Sequence, residues 1–94
     1  VTLTLETRLA LHPHARFRRF EEDGVIVHQA AAEALVVNDA GARLLELADG
    51  NRSLAECVAA IASEFDAGDA AVAQDVLSFA AELVAAGVAQ VVTS

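Results

Sequence analysis

The chain lacks lysine, methionine, tyrosine and tryptophan, and it has a single proline and a single cysteine among its 94 residues. Each absence excludes something. The lone Cys57 cannot close an internal disulfide, so a disulfide-stapled secreted scaffold is ruled out and a reducing cytoplasm is expected. No apolar run approaches the roughly 18 to 20 residues of a membrane span, and no signal-peptide pattern opens the chain. The first residue is Val1 and not Met, the pattern of a chain trimmed or cut from a longer protein. With lysine absent, all fixed positive charge comes from six arginines, set against 14 acidic residues for a net charge of −8.

What is present is apolar. A hydrophobic fraction of 55% is far above that of chains too polar to collapse, so disorder is excluded. The length suits one domain over residues 1–94, with residues 1–10 as an extra N-terminal strand. It is short for a self-contained enzyme with a buried pocket. Charge is unevenly placed: residues 1–20 hold four arginines against Glu6, a net of +3, whereas residues 21–94 hold two arginines against 13 acids, a net of −11. A helical half this acidic repels phosphate backbones, which argues against nucleic acid as the main partner.

The period of the sequence changes near its middle. Val1–Leu5 alternates valine or leucine with threonine, as a strand does. Leu11-His12-Pro13-His14 reads as a loop, because Pro13 drives His12 out of helical geometry. Arg16–Phe20 and Val25–Gln29 read as a hairpin around a Glu22-Asp23-Gly24 turn. Ala30–Glu33 reads as a second tight connection and Ala34–Val37 as a short third strand, expected at the sheet edge. Asn38 and Asp39 then cap a helix over Ala40–Ala48, closed by Asp49-Gly50. Ser53-Leu54-Ala55-Glu56 is a capping box that opens a second helix. A third helix is predicted from Asp69 to Ala86, with Gly87 as its C-terminal cap and Val88–Val92 as a final extended segment. The fold class is α+β, winged helix-turn-helix-like, with a three-stranded antiparallel sheet followed by three helices.

The third helix carries more apolar surface than one packing face requires. Val72, Val76, Phe79 and Leu83 form one stripe, expected to face the core. Ala73, Leu77, Ala80 and Val84 form a second, either packed on the remaining structure or left as an open groove for another chain. Catalytic chemistry is missing: there is no nucleophile elbow, phosphate loop or paired-cysteine metal motif. Cys57 reads as a buried filler beside the stripe of the second helix. His12, His14 and His28 have no conventional zinc spacing and read as loop or surface residues.

The ordered pieces between about Leu9 and Val88 resemble the PqqD family, whose fold is also called the RiPP recognition element. Arg16-Phe17-Arg18 with Glu22-Asp23-Gly24 looks like the family's opening hairpin, and Val37-Asn38-Asp39-Ala40-Gly41 like its junction into the first helix. Leu44–Gly50 looks like the end of that helix. Ser53–Glu56 with Glu64-Phe65-Asp66 resembles the second helix, and Asp75–Phe79, Leu83 and Gly87-Val88 resemble the third. No single piece is specific, but their order and spacing extend over most of the chain.

That resemblance implies a non-catalytic, cofactor-free chaperone. Such a protein binds the leader of a ribosomally made precursor peptide and presents it to a modifying enzyme, often a radical SAM enzyme. The leader adds as a strand to the third strand, here Ala34, Leu35, Val36 and Val37, and rests against the third helix, here Ala73, Leu77, Ala80 and Val84. Members that serve pyrroloquinoline quinone synthesis usually carry an aromatic-rich second strand followed by a Pro-Glu turn, whereas here Val25–Val27 leads to His28-Gln29-Ala30 without that proline. This points away from the quinone pathway and toward another modified-peptide cluster, with lasso-peptide clusters open. The alternatives are a winged-helix DNA-binding regulator, which would want arginine or lysine on its third helix, and a structural or dimerisation domain formed by strand or hairpin exchange.

Overall fold

The computed structural model describes residues 3–28 and 33–92. In chain order the elements are β1 (Arg8–Leu11), β2 (Ala15–Phe20), β3 (Asp23–His28), β4 (Glu33–Val37), α1 (Asp39–Leu47), β5 (Asp49–Ser53), α2 (Leu54–Glu64), α3 (Asp69–Ala85) and β6 (Ala89–Val92). The strands form two antiparallel three-stranded sheets, β2-β3-β4 and β5-β1-β6. The α+β class holds, but the expected single sheet is two. Gln29, Ala30–Ala32, Val1 and Thr2 lie outside the described residues, and so does most of the connection expected before β4.

The first sheet arises from alternation in its strands. Ile26 has no exposed surface, and Phe17 and Leu35 lie opposite it on the two neighbouring strands. The hairpin turn falls one step earlier than predicted. Phe20 pairs with Asp23, so Glu21 and Glu22 form the loop, with Glu21 at φ 53°. Gly24 lies inside β3, opposite Arg19. It is glycine because Phe17 lies over it: a Cβ there would come within 2.5 Å of the ring.

The second sheet departs further from expectation. The N-terminal strand of the described residues is Arg8–Leu11; Leu3–Leu5 of the expected strand make no extended pairing, and Val1 and Thr2 lie outside the described residues. Within the expected strand Thr4 engages Thr7 through its amide, hydroxyl and carbonyl, forming a local turn that competes with extended pairing. β1 is the central strand, pairing with β6 along its whole length and with β5 across a register irregularity. Leu11, expected in a loop, ends β1 opposite Ala89. β5 consists of Asp49-Gly50-Asn51-Arg52-Ser53, and with no apolar residue it gives no strand signal in the sequence.

The helices follow their local signals. Asn38 caps α1 through its side chain, accepting from the Gly41 N–H at 2.9 Å. Ser53 and Glu56 form the reciprocal capping box of α2, at 3.0 and 3.2 Å. α3 runs over its predicted span, and Gly87 follows it at φ 77°, where other residues are strained. Leu9, Ile26, Leu44, Leu54, Cys57 and Val88 are the largest fully buried side chains, so both sheets and the first two helices meet in one core. α3 adds Val72, Val76, Ala80 and Leu83 to it. Arg43 clamps α1 to α2 through two bonds to Glu64, at 2.8 and 3.0 Å. Arg19 ties β2 to α1 through Asp39 and Glu46. Among the described residues, no helix is long and apolar enough to cross a membrane.

Candidate functional site

β4 is the edge of its sheet. It pairs with β3 from Glu33 to Val37, and among the described residues no strand occupies its other side. Gly24, Ile26, Leu35 and Val37 lie in the register row that faces the helices; a Cβ on Gly24 would meet Ala42, and one on Gly41 would meet Val37. Val36 belongs to the opposite row and is 75% exposed, an unusual amount of surface for a valine in a strand. An edge this apolar invites another backbone to pair with it.

Beside β4 opens a cavity of about 470 Å³. Val36, Val37 and Asn38 form one wall, and Ala40, Gly41 and Leu44 of α1 form its base. Ile61, Phe65 and Ala67 close the end at the α2–α3 connection, and Val72, Asp75, Val76 and Phe79 form the wall on α3. These four α3 positions follow the i, i+3, i+4, i+7 rule, so they share one face of the helix. The Phe79 ring rests on Gly41, where a Cβ would approach it to 3.1 Å. The missing side chain at Gly41 therefore lets the Phe79 ring and Val37 pack directly on α1.

The four β4 positions Ala34, Leu35, Val36 and Val37 are thus at the open edge, where the sequence places them. The α3 positions are not at the cavity. Ala80 has no exposed surface, and Ala73, Leu77 and Val84 are half-buried against the core. The groove instead uses Val72, Val76 and Phe79 of the stripe expected to face the core, with Phe79 only half-buried. The first stripe is nonetheless the more deeply buried, as expected: Val72, Val76 and Leu83 belong to the core, and the cavity lies against the side of that stripe nearest α1. Phe65 and Ile61 were missed as groove residues, and only their position at the end of an amphipathic helix hinted at it.

No catalytic arrangement accompanies the groove. Cys57 is buried as expected, and burial pushes its thiol pKa up, which keeps it in the unreactive protonated form. His12, His14 and His28 come together, with ring centroids 5.1 and 6.3 Å apart and His12 accepting the His14 N–H. Among the described residues, no group of three or more histidine, cysteine, aspartate or glutamate side chains is placed to hold a metal ion.

The fold recurs in known structures. It superposes on the PqqD truncation of Methylobacterium extorquens PqqCD, a stand-alone RiPP recognition element, with a TM-score of 0.79 and 19% identity over 94% of each chain. TbiB1, solved in complex with the TbiA(beta) leader peptide, gives 0.78 and 17% identity, covering 86% of this chain and 94% of that one. The fold is that of a RiPP recognition element. Sequence carries the assignment further. Residues 23–89 match the family of coenzyme PQQ synthesis protein D. The PqqA binding protein of Gluconobacter oxydans is 39% identical over 72 residues, 73% of this chain and 75% of that protein. The chain belongs to the PqqD family.

Proposed function

We propose that this protein binds the leader of a ribosomally made precursor peptide as an added strand on β4, in the groove against α3, and presents it to a modifying enzyme. The observation that carries the reading is the apolar edge of β4 lying directly beside an open cavity. Strand addition takes its affinity from backbone hydrogen bonds and its selectivity from side-chain pockets, and it needs no acid, base or metal. A relative named as a PqqA binding protein supports a PqqA-type precursor. It outweighs the inference from the absent proline turn, which pointed to another peptide cluster. The modifying enzyme is taken to be of the radical SAM class, and the setting cytoplasmic, as a single buried cysteine suits. The hairpin followed by three helices is read as a winged helix-turn-helix turned to peptide binding. Against DNA, α3 bears Asp69, Asp75 and Glu82 and no basic residue.

Neighbouring residues of an antiparallel strand direct their amides to opposite edges. Of Leu35 and Val36, one donates toward β3 and the other toward the open edge. Titrating a labelled PqqA peptide into Leu35→Pro and Val36→Pro tests the reading. The outward proline should weaken binding about five- to tenfold at nearly unchanged stability, since one hydrogen bond is lost. The inward proline should lose stability first. Alanine at the outward position should bind far better than proline. Two folded proline variants that bind as tightly as the original protein would exclude strand addition.

A further inference from the structure

The groove is apolar except at two positions, Asn38 and Asp75. The Asn38 side-chain oxygen is taken by the Gly41 amide. Asp75 is the only ionisable residue in the lining, and it is exposed. Among the described residues, no hydrogen bond or ion pair involves its side chain. Arg19 and Arg43 are committed elsewhere: Arg19 to Asp39 and Glu46, and Arg43 to Glu64 and Glu46. α3 supplies no cation of its own.

A carboxylate in that place has consequences for whatever strand lies beside β4. Side chains of an added strand alternate between the solvent and the helix. Those turned to the helix enter a space whose walls are Val72, Val76 and Phe79, with Asp75 between them along the same face. Apolar side chains fill the cavity. A side chain brought next to Asp75 displaces its water, so a neutral or acidic one leaves a desolvated carboxylate without a partner, and a basic one pairs with it. The geometry points to Asp75 as the specificity-determining residue of the groove, one that selects a precursor strand carrying lysine or arginine at a fixed offset from a large apolar residue. This rests on the strand-addition reading and adds the chemistry of the segment that is bound. The net charge of −11 over residues 21–94 acts in the same direction at longer range, and salt should weaken that part.

Selection from a random 15-residue display library, run on the folded full chain, tests the assignment. The original protein should enrich peptides with lysine or arginine at one spacing from an apolar residue. Asp75→Asn should enrich the same apolar pattern without the charge. Asp75→Arg should enrich aspartate or glutamate at that position instead. In titrations of one winning peptide, Asp75→Asn should bind about three- to tenfold more weakly, and a lysine-to-glutamate change in the peptide should restore binding to Asp75→Arg. If Asp75→Arg enriches the same basic peptides as the original protein, the assignment falls and peptide binding stands. If none of the three folded proteins enriches any peptide, or the winners bind Leu35→Pro and Val36→Pro unchanged, strand addition itself is wrong and the assignment falls with it.

Discussion

Sheet β2-β3-β4 is assembled from three consecutive strands, whereas sheet β5-β1-β6 draws its strands from residues 8–11, 49–53 and 89–92. The first forms early in the chain and leaves an apolar edge uncovered. The second brings these three distant segments together, and its loop-closure cost is offset by burying Leu9, Val88 and Ala89. The difference teaches a division of labour. One sheet ties distant parts of the chain together, and the other, built from neighbouring strands, carries the β4 edge proposed above for the peptide.

Substitutions that strike one sheet and spare the other can break this comparison. The largest effect is expected from Leu9→Ala in β1. Leu9 is almost completely buried, and truncating it should cost about 2 to 5 kcal/mol in urea unfolding. Peptide affinity measured on the folded fraction should be unchanged. A loss of affinity equal to that of a β4 variant would show that the two sheets are not separable.

Gly24→Ala is the matching change in the other sheet. Its new methyl would meet the Phe17 ring at 2.5 Å and Ala42 at 3.2 Å. The ring must move, at a cost of about 1 to 3 kcal/mol. Here affinity should fall as well, because β3 carries β4 in register. Retained affinity would place the ligand away from the β4 edge.

The smallest effect sharpens the comparison by pH. The Ser53 amide holds the Glu56 carboxyl below its ordinary range, the Asn51 amide does the same for Asp49, and the Arg43 guanidinium for Glu64. Each carboxylate is favoured in the folded state. Their contribution is therefore fully present above the ordinary carboxylate pKa and is lost as pH falls through the depressed folded values. Asp49 and Glu56 sit at the β5–α2 junction, so amide protection factors, corrected for the intrinsic fall of exchange with pH, should drop there as pH falls from about 6 to about 3. Glu56→Gln can keep the capping box without titrating, and should make the acid limb of the stability curve shallower. An unchanged limb would remove Glu56 from the account.

The sequence was most legible where the signal is local. The Ser53–Glu56 box needs four residues, and it placed the start of α2. The third strand was readable from its valines and its order after the hairpin. β5 was not, since Asp49–Ser53 has neither apolar period nor β-branched residues and becomes a strand only by pairing with the distant β1. The hairpin turn was misplaced because Gly24 serves close packing under Phe17 and not a turn. On α3 both stripes were visible, but periodicity says only that a helix has two apolar faces. The stripe expected to face the core is the more deeply buried, but that the cavity opens beside it depends on where β4, α1 and α2 come to lie, and that is tertiary information.

Val36 has one further consequence. The edge proposed to take a peptide backbone is equally open to the edge of a sister molecule, a hazard for any uncovered strand. The net charge of −8 opposes such pairing by long-range repulsion between copies. A resident peptide would then be a stopper as well as a cargo, sealing the sheet for as long as it stays.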